Sequence, residues 1–297
     1  MFKFFKQLVT GHHSGGRSQS NTEINFQTDQ NSNPSQSLSG NEYAVASCQS
    51  IGMERTHNED TLFVINSFIN GYETPVSFGI YLIADGMGGH QSGEVASSLA
   101  ARTVGQYIIE QVFQEIIFNK MAIPHDELRH VLFNALEKAQ RLILQRVPGG
   151  GTTLTAALII SDQVFTIHVG DSRLYVMDAH GVLNLLTKDH SLVKRLVDLG
   201  EITVDEALTH PQRNVLYRAL GQEDPLEADF SQFTIHPGER ILICSDGLTG
   251  VVQENQIKKI MQANNRLENL ADELVEEANH AGGPDNISVI VIQRVEK

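Results

Sequence analysis

Carboxylates, and the positions at which they fall, are what in this sequence could do chemistry. Ile80-Tyr81-Leu82-Ile83-Ala84 reads as a buried strand that stops at Asp85-Gly86. Val164 to Val169 stops at Gly170-Asp171, and Ile241-Leu242-Ile243-Cys244 stops at Ser245-Asp246-Gly247. Glu59-Asp60 immediately precedes a strand from Leu62, and Asp285-Asn286 another from Ile287. Taken singly these are ordinary turn signals: Asp-Gly closes turns, Asp171 would cap one, and Asp285-Asn286 would make an Asx-turn. Five in one chain ask for a common cause. Carboxylates gathered on one rim repel one another unless cations neutralise them. Oxygen ligands without a matching Cys or His set select Mg²⁺ or Mn²⁺ over zinc. Gly86 and Gly247 permit sharp turns and close backbone approach, including a carbonyl ligand. Two such ions about 3.5–4 Å apart activate a bridging water and stabilise a displaced oxygen, which suits a phosphate ester. Arg55 stands four residues before Glu59, where a bidentate grip on phosphate oxygens is within its chemistry. Read alone, it would be an exposed charge at a strand end.

The elements that must position these groups come in blocks. Strands are expected at 43–49, 61–66, 77–84, 153–160, 163–169, 173–178, 230–235, 239–244 and 286–294, all rich in Val, Ile, Leu, Phe and Tyr. Helical spacing joins Leu128, Val131, Leu132, Ala135, Ala139, Leu142 and Ile143, and again Leu267, Leu270, Ala271, Leu274, Val275 and Ala278. A third helix is expected after Gly93, with Ala100, Val104, Ile108 and Val112 along one face. Strands in runs with helices between the runs favour α+β with largely antiparallel sheets over a doubly wound fold. In antiparallel sheets the end of one strand lies beside the start of its neighbour. Acids closing three strands and opening two can therefore meet on one rim. The stretch 191–221 mixes helical and loop signals, with His210-Pro211 breaking any long helix, and such insertions often serve as flaps.

Composition narrows the field. Acidic residues outnumber basic ones 36 to 22 for a net charge of −14, and Trp is absent. That balance argues against a nucleic-acid partner, and hence against a phosphodiesterase or nuclease acting on one. Cys48 and Cys244 make neither a disulfide framework nor a zinc site and are expected as buried thiols. No apolar run reaches the ~18 residues of a membrane span. The first nine residues lack a secretory h-region, which makes the cytoplasm the expected compartment. Residues 1–40 are expected to form a flexible tail, since 10–40 are Ser, Asn, Gln and Gly with almost no large apolar residues. The folded domain is expected over 41–297.

Six segments in order then carry a resemblance. They are Arg55-Thr56-His57-Asn58-Glu59-Asp60, Ala84-Asp85-Gly86-Met87-Gly88-Gly89-His90, Gly151-Thr152-Thr153, Gly170-Asp171-Ser172-Arg173, Ser245-Asp246-Gly247-Leu248 and Gly283-Pro284-Asp285-Asn286. With them the chain resembles the metal-dependent (type 2C) serine/threonine protein phosphatases, especially the bacterial members. The resemblance implies a four-layer α-β-β-α sandwich, two antiparallel sheets flanked by helices. It implies hydrolysis of phosphoserine and phosphothreonine by attack of a metal-bridging water, with Mn²⁺ or Mg²⁺ as two core ions and a third, weaker one. Asp85 would bridge the core ions and the Gly86 carbonyl would be a further ligand. Asp246 and Asp285 would hold one ion, Glu59 and Asp60 the other directly or through water. Asp171 would serve the third, Arg55 the phosphate, and 191–221 would be the flap. The implied partners are phosphorylated proteins, substrates of a serine/threonine kinase and the kinase itself; the chain is expected to be a monomer.

One position departs from many eukaryotic members, which carry His after the Asp-Gly as a candidate general acid; here it is Met87. No spacing puts His57 or His90 at the leaving oxygen, so the general acid stays unassigned. His168 and His190 are expected to be structural. The competing reading is a catalytically silent relative acting as a regulatory binding module. Loss of an acid such as Asp85 or Asp246 would mark it, and none is missing.

Overall fold

Two antiparallel sheets pack against each other because their strands are apolar on both faces, and each sheet then needs a second cover. The computed structural model describes residues 42–69, 75–88, 91–118, 123–222, 225–263 and 266–295, so the tail expected over 1–40 and His90 lie outside it. The described residues begin with β1 (Tyr43–Ser50), β2 (Asp60–Ile69) and β3 (Val76–Met87). Helical segments α1 (Gln91–Ile108), α2 (Gln114–Phe118) and α3 (His125–Arg146) follow, then β4 (Gly151–Thr152), β5 (Leu154–Ile160), β6 (Gln163–Val169), β7 (Arg173–Met177) and β8 (Leu183–Leu185). The flap region holds α4 (Leu192–Asp198) and α5 (Val204–Leu208). After β9 (Asp229–Thr234) and β10 (Arg240–Cys244) come α6 (Asp246–Thr249), α7 (Glu254–Gln262), α8 (Leu267–His280) and β11 (Ile287–Arg294).

One sheet has the order β1-β11-β10-β7-β8 and the other β2-β3-β5-β6-β9, with β4 added to β3. Period-two alternation sorts the side chains. Along β3, Phe78, Ile80, Leu82 and Ala84 join α1 and α3 in one core, while Tyr81 and Ile83 point to the layer between the sheets. Along β10 and β11, Leu242, Cys244, Val289 and Val291 meet α7 and α8, while Ile241, Ile243, Ile290 and Ile292 enter the same middle layer. Each fully buried aliphatic side chain there contributes roughly 1.5–3 kcal/mol. The result is the four-layer sandwich that the resemblance implied.

Three details differ from the expectations. The strand expected at 77–84 does not stop at Asp85-Gly86. It runs to Met87, because Asp85 pairs with Asp60 and Gly86 and Met87 pair with Thr152 and Gly151. Asp60 likewise lies inside β2 rather than ahead of it. Cys48 is only half-buried on the edge strand β1, whereas Cys244 in central β10 is buried. The four-residue row Ala100, Val104, Ile108, Val112 drifts around a helix of 3.6 residues per turn. A π turn at Ile109–Phe113 takes up that drift and leaves Val112 fully buried.

Candidate metal centre

The β2–β3 ladder sets Asp60 directly opposite Asp85. Cross-strand neighbours of like charge repel, and Asp60 is buried and Asp85 half-buried, so the fold has to restrain them. Ser245 and Ser288 donate their hydroxyls to Asp60 Oδ2 at 2.9 and 2.6 Å. Asp60 Oδ1 is buried with no partner at all. The backbone of Asp85 is clamped instead: its N–H donates to Thr153 Oγ1 at 3.0 Å. Its carbonyl accepts from Thr153 N–H at 2.8 Å and from Thr152 Oγ1 at 2.9 Å.

The rim is completed from three other places. Asp246 opens α6 at the end of β10. Asp171 follows the turn after β6, and Asp285 stands two residues before β11. Burial raises the Asp85 carboxyl well above the usual carboxylate range, and Asp60, Asp246, Asp171 and Asp285 push it further. Asp171 is raised by burial, then by Asp246 and Asp189. Asp246 is raised by burial and by Asp285, against a hydrogen bond shared with Asp85. Burial carries Asp60 up to about 7, with Asp246 and Asp285 adding to it against the two serine hydroxyls. Acids within reach of one another's charge, Asp60 buried and the others half-buried, therefore occupy a single rim.

Glu59 is held by its backbone. Its N–H donates to Asn286 Oδ1 at 2.8 Å, and its carbonyl accepts from Gly86 N–H at 3.2 Å and Ser97 Oγ at 2.6 Å. Its carboxylate uses the space that Gly93 leaves, since a Cβ there would stand 2.3 Å from Oε2. Gly86 is equally obligatory, for a Cβ would lie 2.3 Å from the Gly93 carbonyl oxygen. Arg55 stands at the open side, 48% exposed, donating from Nη2 to Asp285 Oδ2 at 2.8 Å. Such an exposed pair is worth about 0–1 kcal/mol, so a doubly charged phosphate can compete for the guanidinium.

Sequence reasoning missed Asn286 as more than a turn residue. Its Nδ2 donates to the carbonyls of Ile51 and His57 at 3.0 and 2.8 Å while Oδ1 accepts from Glu59. One side chain thus ties the Arg55 loop and Glu59 to β11. Asn286→Ala removes a hydrogen bond from each of three backbone groups. It is expected to cost about 2–4 kcal/mol in urea unfolding. Ser245 and Ser288 were missed too; their signal was a Ser in an otherwise apolar run beside each acid.

Among the described residues no group of three or more His, Cys, Asp and Glu side chains is arranged to hold one metal ion. Mg²⁺-type ions keep several waters and take one or two carboxylates each. Acids spread along a rim suit a pair of such ions better than a closed cage does. The all-oxygen donor set and the orphaned Asp60 Oδ1 fit that chemistry.

The family model described as Protein phosphatase 2C matches residues 68–282. The chain is 36% identical over 249 residues to the serine/threonine phosphatase stp of Listeria monocytogenes, covering 82% of this chain and 92% of that protein. It is 32% identical over 252 residues to the protein phosphatase PhpP of Streptococcus pneumoniae, covering 83% and 96%. The serine/threonine phosphatase of S. agalactiae superposes with a TM-score of 0.74 at 30% identity, covering 86% of this chain and all of the other. The catalytic domain of the phosphatase PstP, solved in complex with two manganese ions, gives 0.68 at 30% identity, covering 86% and 99%.

Proposed function

The chain belongs to the protein phosphatase 2C family, and on that premise we propose how its acidic rim serves as the catalytic centre of a serine/threonine protein phosphatase. The observation that carries the reading is a rim of carboxylates, Asp60 set opposite Asp85 across the β2–β3 ladder, with one buried Asp60 oxygen left unpartnered. The protein compensates these charges only in part, through Arg55 at Asp285 and two serine hydroxyls at Asp60, and divalent cations relieve the remainder. Mn²⁺ or Mg²⁺ would be held by Asp246 and Asp285 on one side and by Glu59 and Asp60 on the other, with Asp85 serving both, the Gly86 carbonyl a further ligand and Asp171 serving a third ion. When bound, the ions neutralise phosphate charge and make water nucleophilic near neutral pH.

The remaining work belongs to the chain. Arg55 exchanges Asp285 for the non-bridging oxygens and orients the ester for in-line attack. Ser245 and Ser288 fix which oxygen of Asp60 faces the rim. Thr152 and Thr153 hold Asp85 by its backbone and leave its carboxylate for ligation. Met87 has no proton to give, so the side chain after Asp85-Gly86 does not protonate the leaving alkoxide. The catalytic unit is 41–297 with the flap at 191–221, and its substrates are phosphorylated products of a serine/threonine kinase, the kinase among them. No described helix is long and apolar enough to cross a membrane.

Purified protein should hydrolyse p-nitrophenyl phosphate and a phosphothreonine peptide with Mn²⁺ or Mg²⁺ and lose both activities in EDTA. Asp246→Ala should do neither with either metal. Full turnover by that variant, or turnover unaffected by chelation, would sink the assignment. A protein that binds Mn²⁺ and a phosphopeptide without hydrolysing it would be the silent binding module.

A further inference from the structure

Two buried histidines lie where the flap meets the turn that carries Asp171, and neither has a part in the reaction described above. His190 is 0% exposed and His168 2% exposed, with ring centroids 4.9 Å apart. His168 is satisfied locally, by Thr155 Oγ1 at Nδ1 and the Lys188 carbonyl at Nε2. His190 has a wider reach. Its N–H donates to the Gly170 carbonyl at 2.7 Å, and the Gly170 N–H donates back to its Nδ1 at 3.1 Å.

That return bond fixes the tautomer. Nδ1 accepts, so Nε2 carries the proton and donates to Asp229 Oδ2 at 3.2 Å. Burial holds His190 below its ordinary value, in keeping with a neutral ring. Arg218 Nη1 stands 3.4 Å from the same nitrogen and finds no acceptor there; its guanidinium pairs with Glu227 and Asp229.

The backbone completes the link. The His190 carbonyl accepts from Tyr217 N–H at 2.9 Å, and Leu192 N–H donates to Val215 O at 2.8 Å. Residues 190–192 and 215–217 are thus the two sides of the flap's neck. Gly170 is held at φ +111, where a Cβ would come within 2.5 Å of Thr153, so the turn itself has no slack. Beyond the neck, Leu220 exchanges both backbone bonds with Thr152, at 2.9 and 3.0 Å, next to the threonine hydroxyl that clamps Asp85.

We infer that His190 is a positioning residue that pins the flap to the β6–β7 turn, setting where the flap stands over the rim and how Asp171 is presented. The inference deepens the phosphatase reading and rests on it for the rim. One face of the imidazole holds the turn through Gly170; the other holds β9 through Asp229. The flap enters and leaves between them. Asn at 190 can offer an acceptor near the place of Nδ1 but cannot reach Asp229, so it separates the two halves.

The test uses the full chain and three variants: His190→Ala, His190→Asn and Asp229→Ala. Trypsin cleavage after Arg195 or Arg213 reads the flap in metal-free protein, independently of activity. Calorimetry with Mn²⁺ reads the rim, and KM and kcat on the peptide and on p-nitrophenyl phosphate read substrate placement. In His190→Ala flap cleavage should rise about tenfold, and the weakest Mn²⁺ step should weaken about tenfold. KM for the phosphothreonine peptide should rise more than KM for the small ester, because only the peptide reaches the flap. His190→Asn should recover the Mn²⁺ step but leave the flap open, and Asp229→Ala should open the flap with Mn²⁺ binding unchanged.

Unchanged cleavage in His190→Asn and Asp229→Ala overturns the inference, whether or not His190→Ala folds. So does a variant set whose readouts move only in step with a global fall in Tm. Loss of Mn²⁺-dependent hydrolysis by the unmodified protein would instead strike the phosphatase reading, and the cleavage result would stand apart from it.

Discussion

Asp85→Asn is expected to lose about a thousandfold or more in turnover on a phosphothreonine peptide while its metal-free form becomes more stable than the parent. The two halves have one cause. Four other acids raise the Asp85 carboxyl on top of its burial, so in the metal-free protein its charge is a cost to the fold. A carboxamide of the same shape removes that cost. It also keeps the strand in place, because every bond from Thr152 and Thr153 to residue 85 goes to backbone. A gain of about 1–2 kcal/mol corresponds to a Tm roughly 2–8 °C higher in EDTA for a domain of this size. The turnover loss follows from removing the anionic oxygen assigned to bridge both ions; roughly 4 kcal/mol of transition-state stabilisation is a thousandfold. Thermal melts in EDTA and steady-state kinetics in Mn²⁺ decide it together. A variant that melts lower in EDTA would mean Asp85 is structural. One that turns over normally would remove it from the reaction.

How much of this was legible in sequence depends on the range of the interaction. Strand positions came through because β-branched residues run through β3, β5, β10 and β11, and the acids beside them mark the rim. That β3 continues through Asp85 was hidden. The pairing that extends it, Gly86 with Thr152, is made by a strand of two residues with no apolar pattern of its own. The clasp made by Asn286 was hidden for another reason. It reaches Ile51, His57 and Glu59, well over two hundred positions away, and a single Asn before a strand reads as a turn. The helix α7 escaped because it is short, although Ile257, Ile260 and Met261 stand at helical spacing along its buried face. His168 and His190 were read as structural, and their hydrogen bonds agree. What no pattern disclosed was that one of them joins the flap to the Asp171 turn. Order along the chain exposes elements; only folding exposes which loops share a side chain.

The chelated protein is expected to lose stability as pH rises from about 4 to about 7, the reverse of a protein whose carboxylates are salt-bridged. The sign follows from the direction of the shifts. Asp60, Asp85, Asp171 and Asp246 all stand above their ordinary values. Between the ordinary carboxylate value and the raised one, the folded chain binds more protons than the unfolded chain. Unfolding free energy therefore falls with each increment of pH in that window and is largest below it. Asp60, carried from 3.8 to about 7, is linked by itself to roughly 4 kcal/mol at most. The four do not add, since neighbouring acids share protons. A fall in Tm of about 5–10 °C across the window is the expected size. Saturating Mn²⁺ should abolish the fall, because cations take over the role of the protons, and its affinity should climb with pH over the same range. Asp60→Asn should flatten the chelated curve without tilting it the other way. A chelated protein whose Tm rises through this range would mean that the rim is neutralised by the protein itself. A rim with no call for cations would take the metal assignment with it, since the same uncompensated charge that weakens the empty site is what draws the ions in.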